Sequence, residues 1–255
     1  MSGSRQRFLA RAAWIWLTAA GVAACAAPPT ATPLAVPRVY TSPYAVPIVR
    51  PWAEKYLAET GAPLPFDLDP RPRSAALDLA PTHPGSLLIF DGPPPSDWFV
   101  TPLDAVPVVI LVHADNPLRD LAPSDLTNLF ARRTARWGTL GGSDVEVQPI
   151  LPLPGEPVRD WFEDAVMRGT PVWPGAWLAP TPEAMLTLVA SDPGAVGFLL
   201  GTDVPADLTT IRVQGLSPTE VGYPFQLQLL AFAPQEPTGG VREWLGWVQA
   251  RVTTR

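Results

Sequence analysis

Apolar residues along the chain fall into two kinds of run: short unbroken stretches bounded by turn residues, and longer stretches with apolar positions three or four apart. The first kind predicts buried strands and the second amphipathic helices. Val39-Tyr40-Thr41 predicts a short strand, and Ser42-Pro43 opens a helix carrying Ile48, Trp52 and Tyr56. A second strand is expected over Leu64 to Leu68, weakened by Pro65, then a short helix from Arg73-Ser74 through Leu77 and Leu79. Ser86 to Phe90 has the length of a buried strand and is stopped by Asp91-Gly92 and three prolines. Val106 to Val112 is the strongest strand signal. Ser124-Asp125 caps an expected helix from Leu126 to about Ala131. Val145 to Leu151 follows as a strand, and Pro157 to Met167 as a helix with proline at its first position. Thr181-Pro182-Glu183 supplies a cap, a first-position proline and an acid in the first turn of a helix to Ala190. Ala195 to Leu199 and Leu208 to Val213 read as strands, and Val241 to Val252 as a closing amphipathic helix with Trp244 and Trp247. Strands alternating with helices predict an α/β fold with mainly parallel pairing.

The amino terminus follows a different pattern. Residues 1–24 carry Arg5, Arg7 and Arg11, no acid, and an apolar stretch from Ala12 to Ala23. That stretch is too short to span a bilayer and fits the core of an export signal. It ends in Val22-Ala23-Ala24-Cys25, which resembles a lipobox, where the cysteine is acylated and the signal is cut just before it. Cys25 is the only cysteine, so lipidation is its natural use, and no disulfide framework or multi-cysteine metal site is available. The alternatives are a plain secretory signal with an incidental Cys25, or a short uncleaved anchor. From Ala26 to Pro37 there is neither charge nor hydrophobic period, as in an extended tether. The expected organisation is a lipoprotein signal over 1–24, a proline-rich tether over 25–37 and a folded domain over 38–255. Acylated Cys25 then holds that domain at the extracytoplasmic face of the cell membrane.

Composition narrows the function. The 255 residues suffice for one large α/β domain or two lobes. Although 34 residues are proline, 47% are hydrophobic, as in a folded protein rather than a low-complexity chain. The net charge is −6, with 17 arginines to the single lysine Lys55, and no run of like charge forms a nucleic-acid stripe. His83 and His113 lack metal-ligand spacing, and no Gly-x-Ser-x-Gly elbow, Walker loop or dinucleotide fingerprint occurs. Neither an enzyme, a metal, a cofactor nor a nucleic-acid partner is expected. Trp98, Trp137, Trp161, Trp173 and Trp177 read mostly as core, with a place for one or two along a cleft.

Five pieces of the second half occur in an order that carries a resemblance. Pro107 to Val112, ending in His113-Ala114-Asp115-Asn116-Pro117, is similar to a hinge strand with an Asn-Pro turn. Leu121 through Asp125-Leu126 to Leu129-Phe130 leads to Arg136-Trp137-Gly138 and Gly141-Gly142. Pro154-Gly155 with Arg159-Asp160 and Phe162-Glu163 comes next, then Asp192-Pro193-Gly194-Ala195-Val196-Gly197-Phe198. Gly222-Tyr223-Pro224-Phe225 and Gly239 to Trp247 complete the series. Together, over about residues 105–252, they resemble the phosphate-type substrate-binding proteins of ABC transporters. The resemblance implies a two-lobed periplasmic-binding-protein-like fold of class II, with hinge crossovers and a central ligand cleft. Lobe 1 would take about 38–107 and 200–255, and lobe 2 about 108–199. The partners implied are ABC permease subunits and a small solute, a phosphate-like oxyanion or a small organic anion.

Helix N-termini are where backbone N–H groups and dipoles hold an oxyanion best. Thr41 and Ser42 precede the first helix and match the family's first binding loop. Arg71, Arg73 and Ser74 precede the second, and Gly155, Glu156 and Arg159 surround the start of the third. Asp91 is placed to accept a proton from a hydrogen-bearing oxyanion. Each has a plainer reading as well: Ser42 as a helix cap, Arg71 and Arg73 as surface charges, Asp91 as a turn residue, Arg159 as the partner of Glu163. The third loop departs from the family, which has Ser-Gly-Thr where this chain has Glu156-Pro157-Val158. Two hydroxyls and one N–H are lost and a carboxylate is gained, which favours a ligand with a cationic or hydroxyl-rich part if Glu156 faces the cleft. The functions left standing are a membrane-anchored solute-binding lipoprotein of an ABC importer, or a non-transport lipoprotein with a degenerate site serving interaction or sensing.

Overall fold

The computed structural model describes residues 36–201 and 203–252. The expected signal, the Cys25 lipidation site and most of the tether lie outside the described residues. The chain enters through β1 (Arg38–Thr41), a 3-10 turn over Pro43–Ala45 and α1 (Val46–Thr60). β2 (Asp67–Pro70), α2 (Arg73–Leu79), β3 (Leu87–Phe90) and the long β4 (Phe99–His113) follow. Next come β5 (Asp120–Leu121), α3 (Pro123–Phe130), β6 (Gln148–Pro152) and α4 (Pro157–Phe162), which runs on as a π turn over Glu163–Met167. β7 (Trp177–Ala179), α5 (Pro182–Ser191), β8 (Ala195–Leu200) and β9 (Leu208–Val213) complete that half. β10 (Gln226–Ala233) and α6 (Gly239–Val252) return the chain to where it began.

The strand order is β2-β1-β3-β10-β4-β8-β6-β7, with β9 pairing β4 and β5. β4 belongs to both halves. Residues Phe99 to Pro107 pair with β10, whereas Val108 to His113 lie between β8 and β9. The sequence explains the division. The first half alternates in exposure, but Val108, Val109, Ile110, Leu111 and Val112 are all fully buried because elements cover both faces. Burying each such side chain contributes roughly 1.5–3 kcal/mol, so this run anchors the second lobe.

Each lobe has its own aromatic centre. In the first, Phe66 packs on Trp244 with ring centroids 4.7 Å apart, and Tyr56 packs on Trp247 at 5.5 Å. A smaller cluster of Tyr40, Ala76, Leu88, Phe90 and Phe232 lies on the opposite face of the same strands, beneath α2. In the second, Phe162 stacks on Phe198 at 4.2 Å and Phe130 tilts against both. The chain crosses between lobes at Pro107-Val108 and returns at Tyr223 to Phe225. The Val108 N–H donates to the Phe225 carbonyl at 2.9 Å, and the Tyr223 hydroxyl donates to the Val108 carbonyl at 2.9 Å.

Several expectations change. The pairing is mixed: β1 with β2 and β3, and β6 with β7 and β8, are parallel, but both neighbours of β10 and both of the second half of β4 are antiparallel. A hinge strand that passes from one sheet into the other accounts for this, since the chain returns alongside it. β9, expected in the first lobe, pairs instead with the second half of β4, so the second lobe extends past residue 200. β2 lies at Asp67–Pro70, beyond Pro65, and β10 was not assigned from the pattern at all. The helix expected to be capped by Ser124-Asp125 starts at Pro123, where the Asp125 carboxylate accepts the Ala122 N–H at 3.1 Å.

Candidate functional site

The walls of the interlobe cleft come from five places in the chain. The carboxyl ends of β1 and β3 deliver Thr41-Ser42 and Asp91-Gly92, the start of α2 delivers Arg73, α4 presents one face, and β10 begins with Gln226. A cavity of about 590 Å³ lies among them. The first lobe contributes Arg73, Asp91 and Gly92, and α4 with its π turn contributes Pro157, Asp160, Trp161, Asp164 and Ala165. Gln226 and Gln228 of the returning strand complete the lining.

Two predicted residues, Arg73 and Asp91, line this cavity. One terminal nitrogen of Arg73, Nη2, donates to the Pro93 carbonyl at 2.5 Å, and the guanidinium lies 5.8 Å from the Phe232 ring centroid. Its Nε–H is buried without a partner among the described residues, as is Oε1 of Gln226. Burial pushes the Asp91 carboxyl up to about 6, against the lowering effect of a hydrogen bond to its own backbone and of Arg73. The Asp160 carboxyl is raised as well, by desolvation first and by nearby Glu163 next.

The remaining predicted residues are placed otherwise. Thr41 is fully buried, and its hydroxyl donates to the Ile89 carbonyl at 2.9 Å, which joins β1 to β3. The Ser42 hydroxyl oxygen accepts the Ala45 N–H at 3.2 Å and caps the 3-10 turn, its plainer reading. Ser74 is exposed and outside the lining, and Arg71 pairs with Asp69 at 2.9 Å. Gly155 is an exposed turn residue whose φ of +82° suits glycine. Arg159 is drawn away from the cavity: Nε contacts Glu163 Oε1 at 2.8 Å and Nη1 donates to the Pro152 carbonyl at 3.0 Å.

Glu156 is only 5% exposed, and its Oε2 has no partner among the described residues. Burial, with a contribution from Asp160, pushes this carboxyl up to about 7. Its charge is also felt by Tyr44, whose ionisation is displaced upward mainly by burial. Tyr44 reaches from the first lobe into the second, donating its hydroxyl proton toward the Ala179 carbonyl at 2.9 Å and lying 3.2 Å from that of Thr181. The loop region that the sequence marks for an anion thus holds a buried tyrosine and a buried carboxyl.

Asp160, Asp164, Gln226 and Gln228 were not singled out by the sequence reading. A signal existed for part of the set: Pro157, Asp160, Trp161 and Asp164 stand at helical spacing, so one face of the predicted helix carries two carboxyls beside an indole.

No family model matches the sequence. A curated relative, the phosphate-binding protein PstS of Bacillus subtilis (strain 168), is 23% identical over 154 residues, 57% of this chain. The match spans about half of that protein, 51% of its length. A crystal structure of a phosphate ABC transporter substrate-binding protein from Clostridium perfringens superposes with a TM-score of 0.73, at 15% identity over 83% of this chain and 92% of that one. The chain has the two-lobed fold of phosphate-type substrate-binding proteins. An ABC-type phosphate transport receptor from Vibrio cholerae gives a TM-score of 0.66 at 18% identity, over 86% of this chain and 95% of that one. The regulatory domain of OxyR from Pseudomonas aeruginosa gives 0.58 at 17%, over 85% and 95%. These relatives are named for phosphate binding, phosphate transport and regulation.

Proposed function

We propose that the chain is the membrane-anchored solute-binding lipoprotein of an ABC importer, and that it captures a small oxyanion-bearing solute between its lobes. The observation that carries this is the 590 Å³ cavity at the hinge, lined from both lobes and bearing the Arg73 guanidinium on one wall. Its size falls within the few hundred to about a thousand Å³ usual for small-molecule sites. Lobes joined by two chain crossings are built to close about a ligand, and closure is the form a permease would recognise. Acylation of Cys25 behind its lipobox-like segment would hold the domain at the extracytoplasmic face. A second reading, a non-transport lipoprotein used for sensing, draws support from the engagement of the Thr41 and Ser42 hydroxyls with backbone.

The test is calorimetry on the full chain solubilised from membranes, titrated with phosphate, sulfate, molybdate and small organic anions. Heat of binding with a smaller hydrodynamic radius supports the importer reading. Silence across the panel removes it in favour of the sensory one. Labelling of the wild-type chain but not of Cys25→Ser by a palmitate analogue supports the anchor, and equal labelling refutes it.

A further inference from the structure

The cavity walls carry charge of both signs, but unequally. Among the described residues, Asp91, Asp160 and Asp164 face it against a single cation, Arg73. Arg159, the arginine of α4, is held by Glu163 and the Pro152 carbonyl and does not offset the carboxyls of that wall. The polar lining is mixed in kind as well: the Arg73 guanidinium only donates, whereas the Gln226 and Gln228 amides both donate and accept. A bare tetrahedral oxyanion suits the guanidinium but sits against carboxyls of its own sign.

We propose that the solute is a zwitterion, with an oxyanion group held at Arg73 on the first lobe and an ammonium group held at Asp160, Asp164 and Gln226. This rests on the solute-binding reading above and assigns the ligand class of that site. Arg73 and the carboxyls of Asp160 and Asp164 belong to opposite lobes, with Gln226 on the returning strand between them, so one molecule meets both walls only when the lobes are together. Trp161 adds an apolar wall between the carboxyls of α4, fixed edge-on against Phe225 with centroids 5.7 Å apart. An indole face next to carboxylates suits an alkylammonium group, which gains from both. The cavity also exceeds what a lone phosphate or sulfate fills, and a linker of a few carbons takes up the rest.

The test uses the full chain in detergent and matched pairs of probes: phosphoethanolamine against ethyl phosphate, taurine against ethanesulfonate, β-alanine against propionate, with inorganic phosphate and sulfate alongside. In at least one pair the ammonium-bearing member binds tighter by roughly tenfold or more, the factor one well-placed charge supplies. Asp160→Asn with Asp164→Asn removes that ratio while the amine-free member binds as well or better, and each single variant reports the same ratio independently. Arg73→Gln weakens both members. Amine-free probes binding as tightly as their partners, or a ratio that survives in the Asn variants, overturns the proposal. Binding of phosphate or sulfate with no response to any zwitterion also overturns it but leaves the solute-binding reading intact. Silence of every probe removes both.

Discussion

The two sides of the interlobe cleft use similar residues in opposite ways. On one side the Thr41 and Ser42 hydroxyls are bound to the Ile89 carbonyl and the Ala45 N–H, and Tyr44 crosses into the second lobe to the carbonyls of Ala179 and Thr181. Glu156 is buried in the same region without a partner for Oε2 among the described residues. On the other side Arg73, Asp91, Asp160 and Gln226 surround an open volume. A polar side chain near a cleft is therefore no measure of a binding role. A hydroxyl that already satisfies buried backbone holds the fold, because removing it leaves an orphaned carbonyl or N–H. The first side reads as a clasp between lobes and the second as the place for a solute.

The largest test of that contrast is Tyr44→Ala. Truncating a fully buried aromatic ring costs about 3–5 kcal/mol, and here it also removes the hydroxyl contacts to the second lobe. Urea denaturation should show the loss. Tyr44→Phe, which keeps the ring, should cost about 1–3 kcal/mol for the carbonyls left without a donor. A Tyr44→Phe variant as stable as wild type would mean that the clasp is packing alone.

Next in size is a pH dependence with a definite sign. Glu156 takes up its proton at about 7 in the folded protein against an ordinary 4.5, so between those values the folded chain binds more protons than the unfolded one. Stability then falls as pH rises through that window and stays low above it. Asp91, at about 6 against 3.8, acts in the same direction over its own lower window. Unfolding free energy should drop by about 3 kcal/mol between pH 5 and pH 8. Glu156→Gln, a permanent mimic of the neutral carboxyl, should remove most of the drop. A wild-type profile that is flat or rises would mean that Glu156 has found a cation or water and belongs with the open side.

Much of the fold was legible in the chain because its strongest signals are local. The unbroken run from Val106 to Val112 marks a strand buried on both faces, and Thr181-Pro182-Glu183 marks a helix start, with the Thr181 hydroxyl oxygen accepting the Ala184 N–H at 3.2 Å. The sheet direction was not legible, since an antiparallel return to the hinge strand depends on chain crossings far apart in sequence. β10 shows why an element can be missed: Gln226-Leu227-Gln228-Leu229 alternates like a strand, but it follows a Tyr-Pro turn and gives way to a continuous apolar run. The site divided in the same manner. Arg73 and Asp91 stand where turn chemistry put them, at the start of a helix and the end of a strand. Asp160 and Asp164 carry no turn signal of their own, because they reach the cavity from the face of α4 and its π turn and not from the loop before it. Whether Glu156 faced a solute was beyond sequence altogether, because its burial is set by packing across the lobes.

The smallest of these tests separates the two sides most cleanly. Ser42→Ala removes the acceptor of the Ala45 N–H and should destabilise the protein by about 1 kcal/mol, the usual cost of a lost cap. The turn over Pro43–Ala45 is short, and its middle residue, Tyr44, carries the clasp, so the loss should appear as a lower midpoint in urea. Solute affinity, measured by calorimetry with whichever probe binds the wild-type chain, should remain within about twofold, since a hydroxyl already committed to backbone has nothing to give a ligand. The reverse result, unchanged stability with affinity reduced by roughly tenfold or more, would show the Ser42 hydroxyl turning to the solute. The clasp would then open when a ligand arrives, and the two sides of the cleft would be one site.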